Sequence, residues 1–460
     1  MSTLPERITL EEWDRRYTAL RSEGLCEPSY GGNLCRHVED GDRRLLKLRM
    51  DNSPAALRLW NFLLSEEDRL AEARANGKVL VGTMKDLGTV PVMAYSFENV
   101  IAFYPDGAWW IPCVMEQTAG LLRIADSLGV DDSFCPVRAM LGAFVNEAHF
   151  PIPELLICSV GATCDDFSAI AGRLEGMGHP VFWWEIPHRR SPEAGEEAVI
   201  LPGGFRAPRS QVAFVEGELA RVRGALETAV GMSLTDEALR NGIRRANHAR
   251  DLLRELRRAV FTADVSPLPG LELLIAEMLA IHFCSDQNEC LQVLDDLLGE
   301  VRRRMERGVG FFARDAARVF WVNPVADMRA MNMLEDAGGR LCGTEFLFSH
   351  ALDAIPEDIP PMEALAQSAL ADPMVGSPVD RAERVLRDME EFGAEALVIS
   401  RIPGASHCAL EGTIIGRIVK ERLKVPVVEI EVPPLSDSIE PTLQTRLEAL
   451  VETVRSKKRP

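Results

Sequence analysis

Apolar and polar positions along the chain change period several times, and the changes mark out its elements. Up to about residue 76 the pattern is helical, in LEEWDRRYTALRSEG and SPAALRLWNFLLSEEDRLAEARANG, with a loop holding Cys26 and Cys35 between them. At Lys78 short apolar runs take over, and KVLVGTM and NVIAFYP predict strands. The connecting loop GTMKDLGTVPVM has Gly82 and Gly88 for close approach to a ligand, and Lys85 for a phosphate or carboxylate. The helix TAGLLRIADSLG follows. Next comes SFCPVRAMLGAFVNEA, where Pro136 suits a first helical position, which puts Cys135 at the helix N-terminus and Arg138 on its first turn. A turn-rich segment, SPEAGEEAVILPGGFRAPRS, leads into long amphipathic helices, one of them opening at the cap residues Thr235 and Asp236. From Ala317 strands return in RVFWVNP and RLCGTEFLFSHAL, then a Pro-rich loop, the helix VDRAERVLRDMEEFG and a closing helix in LQTRLEALVETVRSKKRP.

One stretch occurs twice. Glu154 to Pro187 reads as an acidic start, an apolar strand, a loop ending in Cys164, a helix and a second strand; Glu395 to Pro433 repeats this, with Cys408 in the loop. Aligning Pro180 with Pro426 superposes Glu185 on Glu431 and Pro187 on Pro433. Strand, loop, helix and strand make a parallel βαβ unit, whose ligands sit at the carboxyl ends of the strands. The expected fold is therefore α/β: two similar Rossmann- or flavodoxin-like parallel-sheet domains, with an intervening helical region and an N-terminal helical extension. The expected spans are 1–76 for the extension, 77–207 for the first α/β domain, 208–312 for the helical region and 313–460 for the second α/β domain.

A chain of 460 residues exceeds one ordinary core. With 47% hydrophobic and 26% charged residues its composition is that of a soluble globular protein, and a net charge of −19 argues against a nucleic-acid surface. No apolar run reaches the roughly eighteen residues that span a bilayer. The start MSTLPERITLEEWDRR lacks the basic and apolar regions of a signal peptide, which predicts a cytoplasmic protein with reduced thiols.

The chemistry rests on those thiols. The ten cysteines are dispersed, and Cys26, Cys35, Cys284, Cys290 and Cys342, like His282, show no metal-ligand spacing and read as structural. Cys135, Cys164 and Cys408 share a loop-to-helix junction, where a lowered pKa favours the thiolate. Nucleotide-binding loops, dinucleotide fingerprints, HExxH and GxSxG are absent from the sequence. So are ferredoxin-like cysteine runs, and any iron–sulfur cluster must be assembled from distant loops. Three thiolates would leave one cluster iron open, a Lewis acid for a substrate hydroxyl or carbonyl.

CPVRAMLGA at Cys135, TCDD at Cys164, HCALEG at Cys408 and the closing PTLQTRLEALVE resemble the 2-hydroxyacyl-CoA dehydratases and the related ATP-dependent benzoyl-CoA reductases, over roughly Lys78 to Ala449. The chain departs from the family pattern at Leu410, where many members have proline, in the loop GTMKDLG, and in its long N-terminal extension. The resemblance implies a subunit like the dehydratase D-component, with Cys135, Cys164 and Cys408 binding a 4Fe-4S cluster. Arg138 and His407 would tune the cluster or donate a proton. It implies a carbon–oxygen lyase of anaerobic metabolism. A separate ATP-hydrolysing iron–sulfur activator would inject one low-potential electron, and a ketyl radical on the thioester carbonyl would expel water from a 2-hydroxyacyl-CoA. The other partner would be a homologous subunit, in a heterodimer, or a second copy. The alternatives are a benzoyl-CoA reductase-like or double-cubane-cluster reductase, and a cluster-free two-lobed ligand-binding protein.

Overall fold

The structure, a computed structural model, describes residues 4–25, 32–37, 45–84, 86, 88–106, 118–282, 284–433 and 437–458; the side chains of residues 36, 37, 118, 119, 282 and 406–409 also lie outside the described part. Cys26 and Lys85 fall outside it.

The amino-terminal segment holds β1 (Arg7–Ile8), α1 (Leu10–Ser22), β2 (Met50–Asp51), α2 (Pro54–Leu64) and α3 (Glu66–Ala75). Strands β1 and β2 pair antiparallel, where the sequence pattern predicts only helices; two residues apiece carry no readable period. This segment is fixed to distant parts of the chain. Arg7 pairs with Glu335 at 2.8 Å, and the buried Arg304 donates to Asp51 from two nitrogens at 2.5 and 2.8 Å.

Next come β3 (Val79–Met84), α4 (Val90–Tyr95), β4 (Val100–Phe103), α5 (Thr118–Ser127), α6 (Ala139–Asn146), β5 (Leu155–Gly161), α7 (Asp165–Gly176) and β6 (Val181–Ile186). The strands form one parallel sheet in the order β4-β3-β5-β6. Two expectations change here. The stretch between the first two strands contains α4, and Gly82 lies inside β3, hemmed by Leu156, Pro105 and Pro153 rather than facing a ligand. The segment read as turns also forms an antiparallel pair, β7 (Ala198–Ile200) with β8 (Arg206–Pro208).

Helices α8 (Arg209–Val230), α9 (Asp236–Thr262), α10 (Gly270–His282) and α11 (Gln287–Arg307) follow. As predicted, Thr235 caps α9, accepting from the Ala238 amide at 3.1 Å. Its buried stripe runs Leu239, Ile243, Ala246, Leu253, Leu256 and Val260. The polar members of the same face tie it to both sheets' loops. Arg250 donates to the carbonyls of Ala351 (2.6 Å) and Gly88 (3.4 Å), and the Asn247 amide makes a two-way pair with the Ile355 backbone at 2.8 and 2.9 Å.

The last stretch comprises β9 (Ala317–Val322), α12 (Arg329–Asp336), β10 (Gly339–Glu345), α13 (Pro361–Ala371), α14 (Pro378–Phe392), β11 (Ala396–Arg401), α15 (Ser406–Leu423), β12 (Val427–Glu431) and α16 (Glu440–Lys458). Its parallel sheet runs β10-β9-β11-β12. Numbering each sheet's strands from one, both have the order 2-1-3-4, so the duplication covers the whole sheet and not only its final unit.

The acidic start of each copy has a shared function. Glu154 donates its amide to the Leu80 carbonyl (3.0 Å) while its carboxylate accepts from the Leu80 amide (2.7 Å). Glu395 does the same with Arg318, at 2.8 and 3.0 Å. Each glutamate thus pins the start of the third strand against the first. The aligned prolines match as well: Leu156 donates to the Pro180 carbonyl and Leu397 to that of Pro426.

If these clasps are equivalent, Glu154→Ala and Glu395→Ala each cost about 1 kcal/mol, the net worth of such a bond. Urea unfolding of the double variant is expected to give the sum within about 0.5 kcal/mol, because the sites share no partners.

Candidate functional site

Both cysteine loops of the repeat leave the carboxyl ends of their strands, where parallel sheets place ligands. At the end of β5 the chain turns at Gly161 (φ +103°), where a Cβ would lie 2.2 Å from the Ile186 carbonyl oxygen. Only glycine fits, and Cys164 follows as the N-cap residue of α7. Cys135 precedes a short 3-10 turn, Pro136–Arg138, with Pro136 at its start as the sequence predicts. One buried carboxylate joins the two loops. Asp166 accepts from the Cys135 amide at 3.3 Å through one oxygen and lies 3.4 Å from the Cys164 sulfur through the other.

The expected lowering of the thiol pKa is not what this geometry produces. Burial, followed by the negative charge of Asp166, pushes the Cys164 thiol up to about 11, and the amides of the helix start oppose this only in part. Cap placement is also not common to all three cysteines: Ala405 is the N-cap of α15, and Cys408 sits in the first turn.

Arg138 is buried at 6% exposure, with its guanidinium turned to the Phe134 carbonyl (3.1 Å) and the Asp126 carboxylate (3.4 Å). It therefore braces the loop that delivers Cys135. The side chains of Cys408 and His407 lie outside the described residues, but the loop leading to them is placed. At Gly404 (φ +81°) a Cβ would lie 2.4 Å from the Phe134 carbonyl oxygen and 3.0 Å from that of Asp132. The backbones before Cys135 and before Cys408 are in contact.

The other cysteines are placed apart from these loops or within packing. Cys342 lies in β10, Cys284 and Cys290 are buried, and Cys35 is partly buried in the amino-terminal segment. Among the described residues, to which the Cys408 side chain does not belong, no three His, Cys, Asp or Glu side chains form a metal-binding group. The donors that are placed suit iron, since cysteine sulfurs, as thiolates, are the ligands of iron–sulfur clusters, and Asp166 holds the Cys164 sulfur by a hydrogen bond.

Two further groups lie at the carboxyl ends of the strands and escaped the sequence reading. Asp86, just past β3, accepts from the Thr89 and Val90 amides, yet burial raises its carboxyl to about 6. His350 is buried between Glu345 (2.5 Å) and Asp372 (2.9 Å); burial opposes its charge, but the two carboxylates outweigh it and raise the imidazole pKa. Asp86, Thr163, His350 and Asp372 line a cavity of about 30 Å³ between the two sheets' loops. Neither group belongs to a motif with a fixed spacing: Asp86 caps the helix that follows it, and His350 is defined by being buried between Glu345 and Asp372.

Replacing Gly404 by alanine is expected to destabilise the protein by about 2 kcal/mol, through the left-handed backbone and the contact with Phe134. Amide exchange is expected to accelerate together in 132–135 and 402–405, which denaturant titration and mass spectrometry can follow.

Among the described residues no helix is long and apolar enough to cross a membrane. No curated protein matches the sequence. Residues 99–454, well over half of the chain, match the family model described as 2-hydroxyglutaryl-CoA dehydratase, D-component. That match takes in the loops of Cys135 and Cys164, both strands of each repeated unit and the helix of Cys408, and the chain belongs to the 2-hydroxyglutaryl-CoA dehydratase D-component family.

Proposed function

We propose that this chain is the iron–sulfur subunit of an enzyme that eliminates water from a 2-hydroxyacyl-CoA, with Cys135, Cys164 and Cys408 as the ligands of a 4Fe-4S cluster. The observation that carries this reading is the convergence of the three loops: Asp166 binds at both Cys135 and Cys164, and Gly404 rests on the backbone before Cys135. A cluster bound there supplies one-electron chemistry and an iron open to a substrate oxygen. The protein's own contribution is placement and proton handling. Asp166 orients the Cys164 thiol by accepting its hydrogen bond, Arg138 braces the Cys135 loop, and His407, next to Cys408 in sequence, is the proton donor to the leaving hydroxyl in this reading.

The electron comes from outside the chain in this reading. The sequence has no loop for binding ATP and no flavin or nicotinamide fingerprint, so an ATP-driven iron–sulfur activator and a homologous or identical second subunit complete the system. The cytoplasm is the assigned compartment.

Cys135→Ser, Cys164→Ser and Cys408→Ser are each expected to abolish bound iron and acid-labile sulfide in anaerobic preparations. Cys35→Ser and Cys290→Ser are expected to leave both near the parent level. Equal loss in the two groups would show that the ligands are wrongly assigned.

Turnover supplies a second test. The isolated chain is expected to be silent toward 2-hydroxyacyl-CoA and aryl-CoA panels, and to gain dehydration only with a family activator, ATP and a strong reductant. Dehydration without ATP and reductant would rule out the radical route.

A further inference from the structure

The helix that carries Cys408 is anchored by a buried cation. Arg381, on α14, is 0% exposed, and its guanidinium makes a forked pair with Glu345 at the end of β10, from Nε at 2.9 Å and Nη2 at 2.7 Å. Nη2 also donates to Asn323 Oδ1 (2.9 Å), just past β9, and Nη1 to Glu411. Glu411 lies one turn after Cys408 on α15. A single side chain therefore ties the first turns of α15 to the carboxyl ends of two strands of the second sheet.

The connection continues to the first sheet. Glu345 also holds His350, which holds Asp372. Arg189, three residues past β6, donates to the carbonyls of Leu370 (2.6 Å) and Asp372 (3.0 Å) and to the Asp380 carboxylate (3.0 Å), beside Arg381 in sequence. Carboxylates and basic side chains alternate from Glu411 to Asp372, the link from Asp372 to Arg189 is through the Asp372 carbonyl, and the side chains are largely buried except that of Asp380 (40% exposed), with Glu411 (15%) and Asp372 (14%) at the margin. Desolvation alone disfavours burying so many charges; their geometric specificity is what such a network provides.

We propose that Arg381 is a positioning residue for the site: through Glu411 it fixes α15, and through the His350 and Arg189 contacts it registers the Cys408 loop against the loops of Cys135 and Cys164. This rests on the reading that those three cysteines share one site. Arg381 is fully buried and acts through Glu411. Its function is to keep the loops of the two sheets at one spacing.

The test uses the reduced, metal-free full-length chain, a short thiol–thiol crosslinker and peptide mapping. In the parent protein Cys408 is expected to crosslink to Cys164 or Cys135; no such link would refute the shared site itself, and with it the proposed function. Glu411→Ala frees α15 from Arg381 while leaving the Arg381–Glu345 fork. It is expected to lower the crosslinking rate about tenfold and to speed amide exchange in 406–416 by a similar factor, the worth of one charge-assisted bond. Glu411→Gln, which still accepts from Arg381, is expected to restore most of both. If Glu411→Ala fails to fold, Arg381→Lys serves instead, since an ammonium keeps the charge and loses the fork. Parent-level crosslinking and exchange in a folded Glu411→Ala or Arg381→Lys protein would overturn the proposal, because a purely structural pair would change the melting temperature without changing the register of Cys408.

Discussion

All strands of a parallel sheet end on the same side, and that constraint governs this molecule. Each of the two sheets presents its βα loops at one edge only, so cysteines at those loops can meet only if the two edges face each other. Gly404 against Phe134 is the point at which this facing arrangement becomes backbone contact. Every feature of the site follows from it: Asp166 organises one side, Arg381 the other, and α9 runs behind both with Asn247 and Arg250 bonded to loops of either half.

The duplication explains why two sheets can be matched in this way. The same strand order and the same glutamate clasp occur twice, at Glu154 and Glu395, so the loops leave each sheet at equivalent places. The copies then diverge at the crevice. Behind the Cys408 loop, a guanidinium fills the space between Asn323, Glu345 and Glu411. Behind the Cys164 loop, the pair of hydroxyls Ser159 and Thr163, 3.3 Å apart, lies near the cavity that Asp86 and His350 line. One half is closed internally by charge, and the other retains a polar space.

Much of this was legible in the sequence, because it depends on local period. The strand, loop, helix and strand of each repeat, the long helices with Thr235 as a cap, and Pro136 opening the turn after Cys135 all have short-range signals. What could not be read is either too short to show a period or depends on tertiary partners. The two-residue strands β1 and β2 have no period, α4 is a short helix inside a Gly-containing stretch, and His350 looks like any histidine until Glu345 and Asp372 surround it. The thiol chemistry was misjudged for a related reason. A helix start favours a thiolate, but burial, which is tertiary, and the Asp166 charge two residues along raise the Cys164 pKa instead.

The contact between Gly404 and Phe134 also bears on how the protein is made. A chain synthesised from its amino terminus completes the first sheet, with Cys135 and Cys164 in place, long before residue 404 leaves the ribosome. Even the amino-terminal strand waits, since Arg7 finds its partner at Glu335. The nascent protein therefore passes through an interval in which two of its thiols are presented without the loop that rests against the Cys135 segment. Two of the three proposed ligands are thus in place before the last thiol exists, and the interval closes only when the second sheet meets the first.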